Sequence, residues 1–117
     1  MGDAITVVEY VREDGSSPYR SWFESLDAPA AAKMTTAVLR LEADNTSRVK
    51  WIGTIGECRI DWGPGYRIYL AKDGDTLMIL LGGDTKQRQR TDIARAKELW
   101  AEYKARKAAA TQPKRKR

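Results

Sequence analysis

The sequence contains no histidine and a single cysteine, Cys58, among its 117 residues. Without imidazole, the side chain most used for proton transfer near neutral pH is gone, so any catalysis falls to Lys, Arg, Tyr, Asp or Glu. The same absence leaves no usual zinc ligand set, and one cysteine excludes an internal disulfide. No metal and no cofactor are expected. Long apolar runs are lacking too: nothing approaches the roughly 18 residues of a membrane helix. The N-terminal MGDAITVVEYVRED carries Asp3, Glu9 and Glu13 and no apolar run of secretory type. The expectation is a cytoplasmic protein with no membrane partner, long enough for one domain with a real core.

Acidic residues become scarce in the last quarter. Residues 1–85 hold 9 Lys/Arg against 13 Asp/Glu, whereas residues 86–117 hold 12 against 3. Such a block points to phosphate or another acidic partner, although the terminal Lys114-Arg115-Lys116-Arg117 taken alone reads as a solvated end.

What is present is ordered by period. Ile5 to Val11 is rich in β-branched residues and precedes the turn signal Glu13-Asp14-Gly15-Ser16, which predicts a first strand. Ser17-Pro18 then offers an N-cap and a first-turn proline, with Tyr19, Trp22, Phe23 and Leu26 at helical spacing over about three turns. Asp27-Ala28-Pro29 repeats the start signal, and Met34, Ala37, Val38 and Leu41 continue a second helix to Asp44-Asn45. The short link makes these a helical hairpin, and the aromatic spacing favours burial over stacking on a ligand.

From residue 48 the period becomes alternating, and a second strand is expected near Ile55, with Glu57, Arg59 and Asp61 opposite Cys58, Ile60 and Trp62. Tyr66 to Ala71 alternates as a third, and Thr76 to Leu81 is apolar on both faces, the most buried strand. If Gly63-Pro64-Gly65 is a three-residue hairpin loop, Trp62 faces Tyr66 and Arg59 faces Tyr69. Glu57, Arg59, Arg67 and Tyr69 then share one face. Gly82-Gly83 lacks the spacing of a phosphate-binding loop and reads as a strand end. A last helix with Ile93, Ala96, Trp100 and Tyr103 runs to about Arg106. Residues 1–107 form the domain and residues 108–117 a basic tail expected to be disordered. The class is α+β, strand-helix-helix-three antiparallel strands-helix, with the sheet covered mostly on one face.

The residues able to carry chemistry are cations plus a phenol: Lys50, Arg59, Arg67, Tyr69, Lys86 and Arg88. Guanidinium forks and a lysine point charge suit a phosphodiester. Glu57, Arg59 and Arg67 also fit a solvated cross-strand ion network, Tyr69 fits either proton transfer or packing, and Trp62 and Tyr66 fit packing. The basic last helix, with Arg90 and Arg95, adds cations for an acidic partner.

Trp22-Phe23 with Leu26, Glu57-Cys58-Arg59-Ile60, Gly63-Pro64-Gly65-Tyr66-Arg67-Ile68-Tyr69, Leu80-Leu81-Gly82-Gly83-Asp84 with Lys86, and Asp92-Ile93-Ala94-Arg95-Ala96 together resemble the phage-derived addiction-module killer proteins. These belong to the RelE/HigB group of type II toxin–antitoxin toxins. The likeness covers roughly residues 5–105; the family commonly has its lysine directly after G-G-D, where this chain has Thr85. It implies a RelE-like fold and metal-independent cleavage of mRNA, on the ribosome or free of it, by attack of the ribose 2′-hydroxyl on the adjacent phosphate. It further implies inhibited translation and a cognate antitoxin, often a helix-turn-helix protein. Arg67 would hold the scissile phosphate, with Arg59, Lys86 and Tyr69 assisting and Lys50, Arg88, Arg90 and Arg95 binding RNA. The alternatives are a relative that poisons DNA gyrase, or a non-catalytic nucleic-acid-binding or partner-binding module.

Overall fold

The computed structural model describes residues 4–85, 87 and 89–111. Eight elements follow in order: β1 (Thr6–Glu9), α1 (Pro18–Glu24), α2 (Ala28–Glu42), β2 (Val49–Ile52), β3 (Ile55–Ile60), β4 (Tyr66–Lys72), β5 (Leu77–Thr85) and α3 (Gln89–Thr111). The α+β class holds. The helix starts form where the caps predict them: the Arg20 amide donates to Ser17 Oγ at 3.1 Å and the Ala30 amide to Asp27 Oδ1 at 3.0 Å. Each satisfies an otherwise orphaned first-turn N–H.

The sheet has five strands in the order β1-β5-β4-β3-β2, with β1 parallel to β5 and the other pairs antiparallel. The sequence predicts four strands, and the strand it misses is β2. Gly53 takes the first turn position with φ 63°, the left-handed conformation a II′-type turn needs. Ile52 then pairs with Ile55 across the two-residue Gly53-Thr54 link.

The β3–β4 connection is also longer than predicted, Asp61 to Gly65 rather than three residues. Ile60 therefore faces Tyr66, Arg59 faces Arg67 and Glu57 faces Tyr69. This register is displaced by two residues from the predicted one, and an even slip leaves every side chain on its predicted face. Gly82 and Gly83 do not end the strand. They lie inside β5, where Tyr69 pairs with Gly82 but Leu70 with Leu80, so Leu81 is accommodated as a bulge.

The expectation of a sheet covered mostly on one face is corrected, because helices pack on both. Beneath α1 and α2 lie Ile68, Leu70, Met78 and Leu80 of the sheet, met by Met34 and Leu41 from α2 itself. Beneath α3 lie Ile55, Tyr69, Ala71, Ile79 and Leu81, with Ala96, Leu99 and Trp100 from the helix itself. β5, flanked by β1 and β4, is apolar on both faces because it is covered on both. The last helix continues past Arg106 through Ala108–Thr111, so the first residues of the expected disordered tail are helical; residues 112–117 lie outside the described ones. A run of three alanines prolongs a helix that tertiary contacts have already nucleated.

Candidate functional site

The strand register lays down two rows of side chains on the α3 side of the sheet. Lys50, Glu57, Tyr69 and Gly82 are successive cross-strand partners over β2, β3, β4 and β5. Arg59, Arg67 and Asp84 form the neighbouring row. Four predicted site residues, Lys50, Arg59, Arg67 and Tyr69, are thus brought to one face. Lys86 and Arg88 lie outside the described residues.

Burial divides this group. Lys50 and Arg59 are exposed, the Arg67 side chain retains 15% exposure, and Tyr69 and Glu57 are buried at 1% and 0%. Glu57 is the residue whose importance the sequence pattern understates. Its Oε1 lies 3.4 Å from Arg67 Nε, a Coulombic pair rather than a hydrogen bond, and its Oε2 accepts a hydrogen bond from Gln89 Nε2 at 2.6 Å. A carboxylate out of water needs such company, since an isolated buried charge is costly. Glu57 therefore couples the Arg67 guanidinium to the first turn of α3. Gln89 was findable only as a polar residue in a helix start; nothing local marks it as a partner of a strand 32 residues earlier.

Tyr69 sits below the surface, and among the described residues its hydroxyl has no hydrogen-bond partner. Burial, assisted by the nearby Glu57 and Asp92 carboxylates, pushes its pKa upward. Burial thus favours the neutral phenol over the phenolate. Beside it lies a cavity of ≈ 110 Å³ between β5 and α3, bordered by Gly82, Asp92 and Arg95. The space exists partly because Gly82 has no side chain: a Cβ there would meet nothing within 4 Å. Gly83, one residue on, faces the opposite side, where a Cβ would fall 2.4 Å from the Trp22 ring. The two glycines thus serve different ends, one leaving space open and the other admitting an indole.

Arg90 and Arg95 occupy the first two turns of α3 and both are exposed; Arg95 makes a 3.7 Å ion pair with Glu98. Trp62 and Tyr66 are half-buried and stack at 6.3 Å between centroids, and Tyr66 also meets Trp22 at 6.4 Å, in keeping with packing. Cys58 is buried under α2, and desolvation pushes its thiol up to about 11, which makes it unreactive. Among the described residues no group of His, Cys, Asp or Glu could hold a metal ion, and no helix is long and apolar enough to cross a membrane.

No family model matches the chain. Over 83 residues it is 40% identical to a Haemophilus influenzae protein described as uncharacterized, an alignment that spans 69% of this chain and 84% of that protein. At that identity and coverage, the chain belongs to one family with the Haemophilus influenzae protein.

Proposed function

We propose that this protein is a toxin of RelE-like fold that cleaves mRNA on the α3 side of its sheet and is neutralised by an antitoxin partner. The observation that carries the reading is Arg59 directly opposite Arg67 on adjacent strands. Like charges in facing positions destabilise a sheet, and the carboxylates beside this pair are Glu57, 3.4 Å from Arg67, and Asp84, which faces Arg67 from β5. Two arginines in facing positions on adjacent strands suit the non-bridging oxygens of a phosphodiester.

In this mechanism the ribose 2′-oxygen bonds to phosphorus and the bond to the 5′-oxygen breaks, giving a cyclic phosphate and a 5′-hydroxyl. Arg67, set in place by Glu57, and Arg59 stabilise the charge that grows on the phosphoryl oxygens. Lys50, one row away on the same face, takes a flanking phosphate. Tyr69 supports this surface from beneath as a positioning residue.

The test is cleavage of a defined transcript, with and without programmed ribosomes, mapped by primer extension. Arg67→Ala is expected to lower the cleavage rate by about 10²–10³, the range found when one oxyanion-stabilising donor is removed. Intact transcripts in the presence of wild-type protein would overturn the reading. Inhibited DNA supercoiling alongside them would instead favour gyrase as the target.

A further inference from the structure

A second cationic surface lies outside that site. Between α2 and the end of β3 is a cleft of ≈ 260 Å³ lined by Lys33, Arg40, Arg48, Arg59, Asp61 and Trp62. Its walls come from separate elements. Lys33 and Arg40 lie on one face of α2, seven residues apart, while Arg48 and Arg59 stand at the end of the sheet where β2 begins. Asp61 is the single acid among the described lining residues, and its 3.1 Å pair with Arg48 is exposed on both sides. An exposed pair of this kind is worth little and exchanges readily. Lys33 Nζ lies 5.7 Å from the centre of the Trp62 ring, so a flat aromatic and a cation share the cleft mouth.

We infer that this cleft is a binding track for single-stranded RNA, taking the segment that flanks the linkage held by Arg59 and Arg67. The choice of ligand rests on the proposed function; the cationic cleft itself does not. Arg59 borders both surfaces, so a strand leaving the sheet face meets Arg48, Arg40 and Lys33 next. Four cations against one carboxylate favour a polyanion. At ≈ 260 Å³ the cleft is too small to seat an acidic helix, whose diameter with side chains is about 10–12 Å.

The test pairs the wild type with the double variant Lys33→Gln/Arg40→Gln. Both side chains are exposed, so thermal unfolding is expected to be unchanged. Binding of a fluorescein-labelled 12-nucleotide single-stranded RNA is followed by anisotropy from about 50 to 200 mM salt. The double variant is expected to bind about tenfold more weakly at low salt, and its log–log salt slope to fall by about 1.4, for two lost phosphate contacts on a single strand. Photocrosslinks from 4-thiouridine in the same RNA are expected on the peptides carrying Lys33 to Arg40 and Trp62.

Unchanged affinity and slope in the double variant, with cleavage lost in Arg67→Ala, would overturn the track and leave the proposed function standing. Weakened binding in the double variant of a protein that cuts no transcript would do the reverse. Tight poly-glutamate binding that is lost in the double variant, with RNA affinity unaltered, would make the cleft a protein-docking surface and also overturn the inference.

Discussion

The two halves of α3 rest on polar clusters of opposite character. Toward its C-terminus, Glu102 accepts hydrogen bonds from Arg12 Nε at 3.0 Å and Nη2 at 2.9 Å, and from the Tyr10 hydroxyl. Arg106 donates to the Val11 carbonyl at 2.8 Å, while Asp73 accepts from Tyr103 and from Lys107. This cluster ties the helix to the segment that follows β1 and to the β4–β5 turn. Toward its N-terminus, the helix covers Glu57 and Tyr69, of which Glu57 Oε1 and the Tyr69 hydroxyl have no hydrogen-bond partner among the described residues.

A satisfied network fastens the helix, whereas unsatisfied buried polar groups have a cost that packing alone does not explain. The difference gives the C-terminal end of α3 a fastening role and, on the proposed function, leaves the N-terminal end to the chemistry.

The largest stability effect is expected at the unsatisfied end. Glu57→Ala removes one partner of a buried ion pair, which typically costs about 3–5 kcal/mol. Because the Arg67 side chain keeps 15% exposure and can regain some water, about 2–3 kcal/mol is expected here in urea unfolding. Cleavage should fall as well, since Arg67 loses its anchor. A Glu57→Ala protein as stable as wild type would erase the contrast between the two clusters.

The glycines of β5 give a smaller effect and sharpen the same contrast. Gly83→Ala drives a methyl into the Trp22 ring and is expected to cost about 1–3 kcal/mol, as overpacking does. Gly82→Ala enters open space on the α3 side and should leave stability within about 0.5 kcal/mol of wild type. Equal losses from the two would show that the space beside Tyr69 is not open.

The satisfied end should respond chiefly to pH. Hydrogen bonds from Arg12 and then Tyr10 hold the Glu102 carboxyl well below its ordinary value of 4.5, at about 2. A lowered folded-state pKa gives stability that is present above about pH 4.5 and is lost as pH falls toward 2. Glu102→Gln should flatten that acid limb of the unfolding curve while leaving cleavage near neutrality unchanged. At alkaline pH the sign reverses. Burial and then Asp73 raise Tyr103 from 10.0 to about 12, so its contribution is intact below pH 10 and disappears as pH rises through that interval. Phenolate absorbance during alkaline titration reads this directly.

Much of the fold was legible because its signals are local. Ser17 and Asp27 mark helix starts through hydrogen bonds that span three residues, and Met34, Ala37 and Leu41 mark a buried stripe through the helical repeat. The missed strand β2 is only four residues long, and its turn depends on one glycine at φ 63°. The misread glycine pair belongs to β5 because Tyr69 and Ile68 of β4 pair with it, which no local rule reports. Of the candidate site, the common face of Lys50, Arg59, Arg67 and Tyr69 follows from period-two alternation, which survived an error of two in the register.

By itself, then, the sequence determined the class, the helix caps, the side of the sheet each strand residue occupies, and a chemistry without imidazole. Only the tertiary structure decided that Glu57 and Tyr69 are buried while Arg59 is exposed, that Gln89 reaches Glu57, and that Lys33 and Arg40 border a cleft beside Trp62. The physical reason is range. Caps, turns and alternation act over a few residues, whereas desolvation and ion pairing depend on which distant segment comes to lie on top.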